Sequence, residues 1–235
     1  MTLRISSPEQ FAALHEKGIE AQKIRALLAA SGTGYDFCRF YLHNKNSFLA
    51  EMGGSFVLCA GNNADGEELA QFLDFNGCAE LLCADDVGGK INSCLGAELS
   101  SVNVMRFEGA GVPCEMECSP LLSDVYGIVG GVFGFEFEPW YLDMSHRVRH
   151  GVARCRKLEG SALVIQHEIN GEALISQVAT LPEQRGRGLS SRLLLSACAE
   201  LAGNDIFVIC EDELISFYKK NGFEVCGRLA QIARK

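Results

Sequence analysis

The stretch Ile175–Leu195, ISQVATLPEQRGRGLSSRLLL, joins an apolar run to a leucine-rich helical stripe through a turn holding Arg185, Gly186, Arg187 and Gly188. The apolar spacing Leu189, Leu193, Ala197, Leu201 predicts a helix that starts just after the glycines. The first backbone N–H groups of a helix lack an intrahelical acceptor, and the helix dipole adds partial positive charge there, so the turn can receive an anion. Glycine lets the backbone approach closely, and arginine gives charge-assisted hydrogen bonds to phosphate oxygens. An arginine-rich surface turn that binds nothing has the same composition, so its context must decide.

Rival phosphate loops fit poorly. A dinucleotide fingerprint needs glycine where Ser191 stands, and no Gly-Lys-Ser or Gly-Lys-Thr exists for a P-loop. The residues before the turn also read as a hairpin meander rather than a parallel βαβ unit. Strands are expected over 152–157, 162–167 and 174–180, with turns at Glu159-Gly160 and Asn170-Gly171.

Beyond the turn, a compact strand is expected over Asp205–Cys210, a helix over Asp212–Lys220 closed by Asn221-Gly222, and a last strand over Phe223–Ile232. The first half reads similarly. Ser7-Pro8 opens a helical region that Gly32 and Gly34 close, and strands over 37–42, 47–52 and 55–60 form a second meander. A helix carrying Leu69, Phe72 and Leu73, a strand over Cys78–Cys83, a helix over Val87–Leu95 and a strand over Val102–Phe107 come next. The segment 109–120 reads as a long loop, and helices are expected over Leu121–Val132 and Glu138–Val148. The two halves thus share an element order, an internal repeat of pattern without identity. They differ at one place. Where the second half has Gln184-Arg185-Gly186-Arg187-Gly188-Leu189, the first has Gly61-Asn62-Asn63-Ala64-Asp65-Gly66.

Composition bounds the partners. The 235 residues carry a net charge of -9, split as 7 basic and 12 acidic residues in 1–97 and 14 basic and 18 acidic in 98–235. Neither half has the basic excess of a nucleic-acid binder, and no apolar run approaches the ~20 residues of a membrane span. No nucleic-acid or membrane partner is expected. The opening MTLRISSPEQ lacks the apolar core of a secretory signal, and eleven cysteines scattered through apolar segments read as reduced thiols, so a cytoplasmic location is expected. His146 and His150 stand four apart without a third ligand, and Cys114 and Cys118 flank a loop, so no metal is expected.

The segment Ile175–Leu195 resembles the acyl-CoA-binding motif of the GNAT superfamily of N-acetyltransferases, a Q/R-x-x-G-x-G/A pattern between strand and helix, with Arg185, Gly188 and Ser190 in its positions. Serine replaces the final Gly or Ala. A second segment, Cys210–Phe223, CEDELISFYKKNGF, is similar to the later family motif in which a helix ends in tyrosine before Gly-Phe, although Glu211 replaces an asparagine often found there. The resemblance implies a mixed α/β (α+β) fold, a mostly antiparallel sheet with flanking helices. It further implies a C-terminal acetyltransferase domain over 98–235 and, over 1–97, a degenerate copy.

The same resemblance, and nothing in the spacing itself, implies the roles of the site residues. Acetyl-CoA would be the co-substrate and a primary amine the acceptor. Val178, Ala179 and Thr180 would lie along the pantetheine arm, and Arg185, Gly186, Arg187, Gly188, Leu189, Ser190 and Ser191 would meet the pyrophosphate. Tyr218 would be the acid that protonates the leaving thiolate, since a phenol of ordinary pKa ~10 holds its proton at pH 7. Glu172 is the nearest glutamate to the position of a family general base, but reads as a hairpin surface residue. The basic run Arg147, Arg149, Arg154, Arg156 and Lys157 is either a solvated helix end or a reader of an acidic group on the substrate. The other function class compatible with these residues is a non-catalytic acyl-CoA-binding module.

Overall fold

The computed structural model describes residues 1–14 and 17–234. In chain order the elements are β1 (Thr2–Arg4), a 3-10 turn (Pro8–Ala13), α1 (Ile19–Ser31), β2 (Cys38–His43), β3 (Ser47–Met52), β4 (Ser55–Cys59), α2 (Gly66–Phe75), β5 (Glu80–Ala84), α3 (Asp85–Leu95) and β6 (Glu98–Phe107). The second half continues with α4 (Leu122–Phe133), α5 (Phe137–Arg149), β7 (Arg154–Leu158), β8 (Ser161–Ile169), β9 (Glu172–Thr180), α6 (Leu189–Glu200), β10 (Asp205–Cys210), α7 (Ile215–Lys220) and β11 (Phe223–Ala233). Among the described residues no helix is long and apolar enough to cross a membrane.

The chain forms two compact units, Met1–Asn103 with Gly227–Lys235, and Val104–Cys226. The division expected at 97/98 kept the last strand in the C-terminal half. Instead, residues 229–233 of β11 pair antiparallel with 84–80 of β5, so the end of the chain completes the sheet of the first unit. Such a long-range pairing leaves no mark in local periodicity.

In the first unit β2, β3 and β4 form the expected antiparallel meander, and β4 then pairs parallel with β5 from Ser55↔Glu80 to Val57↔Leu82. The second unit repeats the arrangement. Strands β7, β8 and β9 are antiparallel, and β9 pairs parallel with β10 from Glu172↔Asp205 to Ile175↔Val208. The order meander, helix, strand, helix is thus common to both, as the internal repeat suggests.

The core of the second unit has two faces because strand side chains alternate. Leu163, Ile165, Ala173 and Ile175 pack against Leu193, Leu194 and Ala197 of α6. Ala162, Val164 and Ala179 pack against Val125, Ile128 and Val129 of α4 and Trp140 and Met144 of α5. Each fully buried side chain of leucine or isoleucine size contributes about 1.5–3 kcal/mol, which holds α4 and α5 against one face of the sheet and α6 against the other.

Candidate active site

The parallel pairing of β9 with β10 ends at Ile175 and Val208, whereas β9 runs on to Thr180. The next segment of β9 is bulged against β8. Val164 faces Ser176 and Ala162 faces Ala179, so β9 carries one residue too many, and Gln177 takes φ 52°. A bulge bends its strand and re-aims its side chains. Val178 and Ala179 then point to opposite faces, Val178 against the α6-side core and Ala179 into the α4–α5 side.

Thr180 ends the strand. Its hydroxyl is hydrogen-bonded to those of Ser161, at 3.0 Å, and Ser190. The chain turns through a 3-10 segment at Pro182–Gln184 and passes Gly186 at φ 78° and Gly188 at φ 73°. These left-handed conformations favour glycine, and a Cβ built at either position would meet nothing within 4 Å. The glycines therefore serve the turn and leave open space before it.

Gly188 is the N-cap of α6, without a side-chain cap or an acidic residue in the first turn. Arg192 N–H donates to the Gly188 carbonyl at 3.1 Å, which leaves the preceding N–H groups of the helix without an intrahelical acceptor. Thr180, Arg185, Gly186, Gly188, Leu189, Ser190 and Ser191 line one cleft of about 240 Å³, together with Gln184 and Phe217. Arg187 stands beside it, its guanidinium paired with Glu159 at 2.8 Å and bonded to Gln184 Oε1 at 3.2 Å.

Tyr218 follows Phe217 on α7 and is buried in the same core cluster as Cys210 and Phe223, against which Val178 packs. Its ring meets that of Phe223 nearly edge-on, with centroids 5.6 Å apart. Burial, and secondarily the nearby Cys210, push the phenol well above its ordinary pKa. The hydroxyl is accordingly a neutral donor at pH 7 and well above it.

Two expectations meet a different structure. Glu172 is buried rather than a hairpin surface residue, because β9 already begins there and pairs with Asp205 of β10. It stands at the opposite end of β9 from Thr180. The basic run is largely neutralised by its own neighbours: Arg147 pairs with Asp143 at 2.8 Å, Arg154 with Glu168 at 2.6 Å and Lys157 with Glu117 at 3.0 Å. Arg156 is buried and donates from Nε to Glu200 at 2.7 Å. The pattern is that of a structural ion-pair network, since each of these four cations already has its anion. The imidazoles of His146 and His150 lie 4.5 Å apart, and among the described residues no group of three His, Cys, Asp or Glu could hold a metal.

Three residues of the site carry little or no sequence signal: Gln184, Phe217 and Gln177. Gln184 accepts from Gly160 N–H at 3.3 Å, fastening the β7–β8 turn to the loop before α6. Phe217 is marked only by its place before Tyr218. Gln177 has no signal at all, since a bulge arises from the register of two strands.

Residues 146–225 match the family model described as acetyltransferase (GNAT) domain. A search of the curated proteins finds no match. Among solved structures, the chain is similar to a GCN5-related N-acetyltransferase from Kribbella flavida, at 12% identity and a TM-score of 0.65 over 95% of each chain. It is also similar to a GNAT-family acetyltransferase from Colwellia psychrerythraea, at 12% identity and a TM-score of 0.55 over 100% of both chains. A tandem GNAT protein from the clavulanic acid biosynthesis pathway gives 12% identity and a TM-score of 0.59 over 98% of this chain and 97% of that one. At such identities the likeness is one of fold. Residues 146–225 thus match the acetyltransferase (GNAT) domain model, within a mixed α+β chain whose fold is similar to that of GNAT structures along its length.

Proposed function

We propose that the chain transfers an acetyl group from acetyl-CoA to a primary amine. The observation that carries this reading is the cleft over Thr180–Ser191, where an uncapped helix N-terminus, two glycines before open space and Arg185 converge beside the free end of β9, with Arg187 at its margin. That donor set fits a pyrophosphate, with Arg185, Gly186, Arg187, Gly188, Leu189, Ser190 and Ser191 as its holders. The backbone of Val178, Ala179 and Thr180, beyond the pairing with β10, suits the amides of a pantetheine arm.

Acetyl-CoA supplies an activated acyl group and a thiolate leaving group. Tyr218 is the residue we assign to protonate that thiolate: its phenol keeps its proton because burial raises its pKa, and the ring is fixed between Phe217 and Phe223. General acid catalysis of this type contributes typically ~10²- to 10⁴-fold. The attacking amine loses its proton to water in this reading, since Glu172 stands at the far end of β9. We place the enzyme in the cytoplasm, where thiols such as Cys83 and Cys198 stay reduced.

The test is turnover. Release of free thiol from acetyl-CoA in the presence of an amine panel is expected, with the acetylated amine as co-product. Saturable CoA binding with no amine-dependent thiol release would overturn transfer and leave a binding module.

A further inference from the structure

Three hydroxyls from three elements tie the start of α6 to the end of β9. Ser161 opens β8 and lies opposite Thr180 of β9, and Ser190 stands in the first turn of α6. Ser161 Oγ bonds to the Ala179 carbonyl at 2.9 Å, Thr180 Oγ1 to Ser161 Oγ at 3.0 Å, and Thr180 Oγ1 also to Ser190 Oγ. Each hydroxyl has a single proton, and a carbonyl can only accept. Ser161 therefore donates to Ala179, Thr180 to Ser161 and Ser190 to Thr180. The chain of bonds runs one way.

Its direction decides what the hydroxyls can do in the cleft. Thr180 and Ser190 both line it, yet neither has a proton left to give an anion there. Ser161 is fully buried and touches no ligand. The carbonyl of the same Thr180 accepts from Arg185 Nε at 3.3 Å. The residue that holds α6 through its hydroxyl thus holds the arginine of the cleft through its backbone. Glycine or alanine at position 190, as in the family pattern, would remove the first donor of this chain.

We infer that Ser161, Thr180 and Ser190 are positioning residues, a clamp that sets the first turn of α6 and Arg185 against β9 before a ligand arrives and whose hydroxyls give no hydrogen bond to its phosphates. The inference rests on the cofactor site proposed above, and it adds how that site is held. A cleft ordered in advance loses less freedom when it fills, so opening the clamp weakens binding without removing a contact.

Calorimetry with CoA on the full chain separates a clamp from a contact. Ser190→Ala and Thr180→Val should each weaken CoA about three- to tenfold, and together no more than either alone, because both open the same link. Thr180→Ser keeps the hydroxyl and should keep the wild-type affinity. Were Ser190 a phosphate contact, Thr180→Val would free its proton for that role, and CoA would bind at least as tightly as to the wild type while Ser190→Ala weakened it. That pattern overturns the inference, and so do additive losses or an unchanged affinity in both variants. Hydrogen exchange reads the clamp without cofactor. The Arg192 amide, whose bond to the Gly188 carbonyl closes the first turn, should exchange faster in Ser190→Ala and Thr180→Val while those of Ala197 and Cys198 stay as they were. An unchanged rate at Arg192 overturns the inference as well. The expected losses of CoA affinity without thiol release from any amine would remove transfer and leave the clamp standing, whereas wild-type protein that binds no CoA would remove both.

Discussion

Arg187 and Glu159 form an ion pair, Nη2 to Oε2 at 2.8 Å, between the glycine-arginine loop before α6 and the β7–β8 turn. Both side chains are about half exposed, so the pair adds little to stability. Its consequence is for binding. A phosphate on the loop must share Arg187 with Glu159, and Glu159→Gln removes the competitor without touching the loop. CoA affinity measured by calorimetry should rise about two- to fivefold in that variant, and the gain should shrink at high salt.

The complementary variant removes the cations. Arg185→Ala with Arg187→Ala should weaken CoA by ten- to hundredfold and leave a pantetheine fragment nearly unaffected, because in the proposed reading the arginines meet only phosphates. Equal weakening of both ligands would place the arginines elsewhere.

Tyr218→Phe keeps the ring that packs on Phe223 and removes the donor. kcat should fall by ~10²- to 10⁴-fold with acetyl-CoA affinity almost unchanged. Since burial raises the phenol's pKa, the wild-type rate should also show no loss from Tyr218 ionisation up to pH 9.5. An unaltered kcat, with chemistry shown to be rate-limiting, would rule Tyr218 out as the acid.

Buried thiols give the protein an alkaline weakness. Burial pushes Cys83 and Cys198 up to about 12, and Cys78, Cys155 and Cys210 up to about 11, from an ordinary 9.0. Above pH 9 the unfolded chain releases these protons while the fold retains them, so stability present at neutral pH is lost progressively as pH climbs toward the folded values. The urea midpoint should be level from pH 7 to 8.5 and fall steeply from 9.5 to 10.5. Cys198→Ala should reduce that slope, and an unchanged slope would show that this thiol is not part of it.

Much of this molecule was legible in its sequence because its signals are local. The hairpin dipeptide Asn170-Gly171, the stripe from Leu189 to Leu201 and the glycine pair 186 and 188 each specify their own conformation, and the elements appear where they predict. Features set by pairing across distance were not legible. The bulge at Gln177 depends on the register of β8, the burial of Glu172 on its position opposite Asp205, and the return of β11 to β5 on a contact between residues almost 150 positions apart. Arginines in the run 147–157 looked like a free patch for the same reason: Glu200, which holds Arg156, comes from α6.

The two units should differ in cofactor binding, with one CoA bound per chain, in the second unit only. Both units place a helix N-terminus after a parallel-pairing strand, but α2 is capped from within. Asp65 accepts hydrogen bonds from Glu67 N–H and Glu68 N–H, each at 3.1 Å, and the N-terminal ammonium of Met1 bonds to Glu68 Oε2 at 2.8 Å. The N–H groups equivalent to those left open on α6 are therefore already satisfied on α2 by a carboxylate. Asp65, Glu67 and Glu68 also repel an approaching phosphate, by about 1 kcal/mol each at close range even in high dielectric. On α6, by contrast, Gly188 offers no side chain and the first turn has no acid. Calorimetric titration of the full chain with CoA should give a stoichiometry near one, and the Arg185→Ala, Arg187→Ala variant should show no second, unaffected class of sites. A stoichiometry near two, or binding in that variant at full affinity to half of the original sites, would show that the first unit holds cofactor after all.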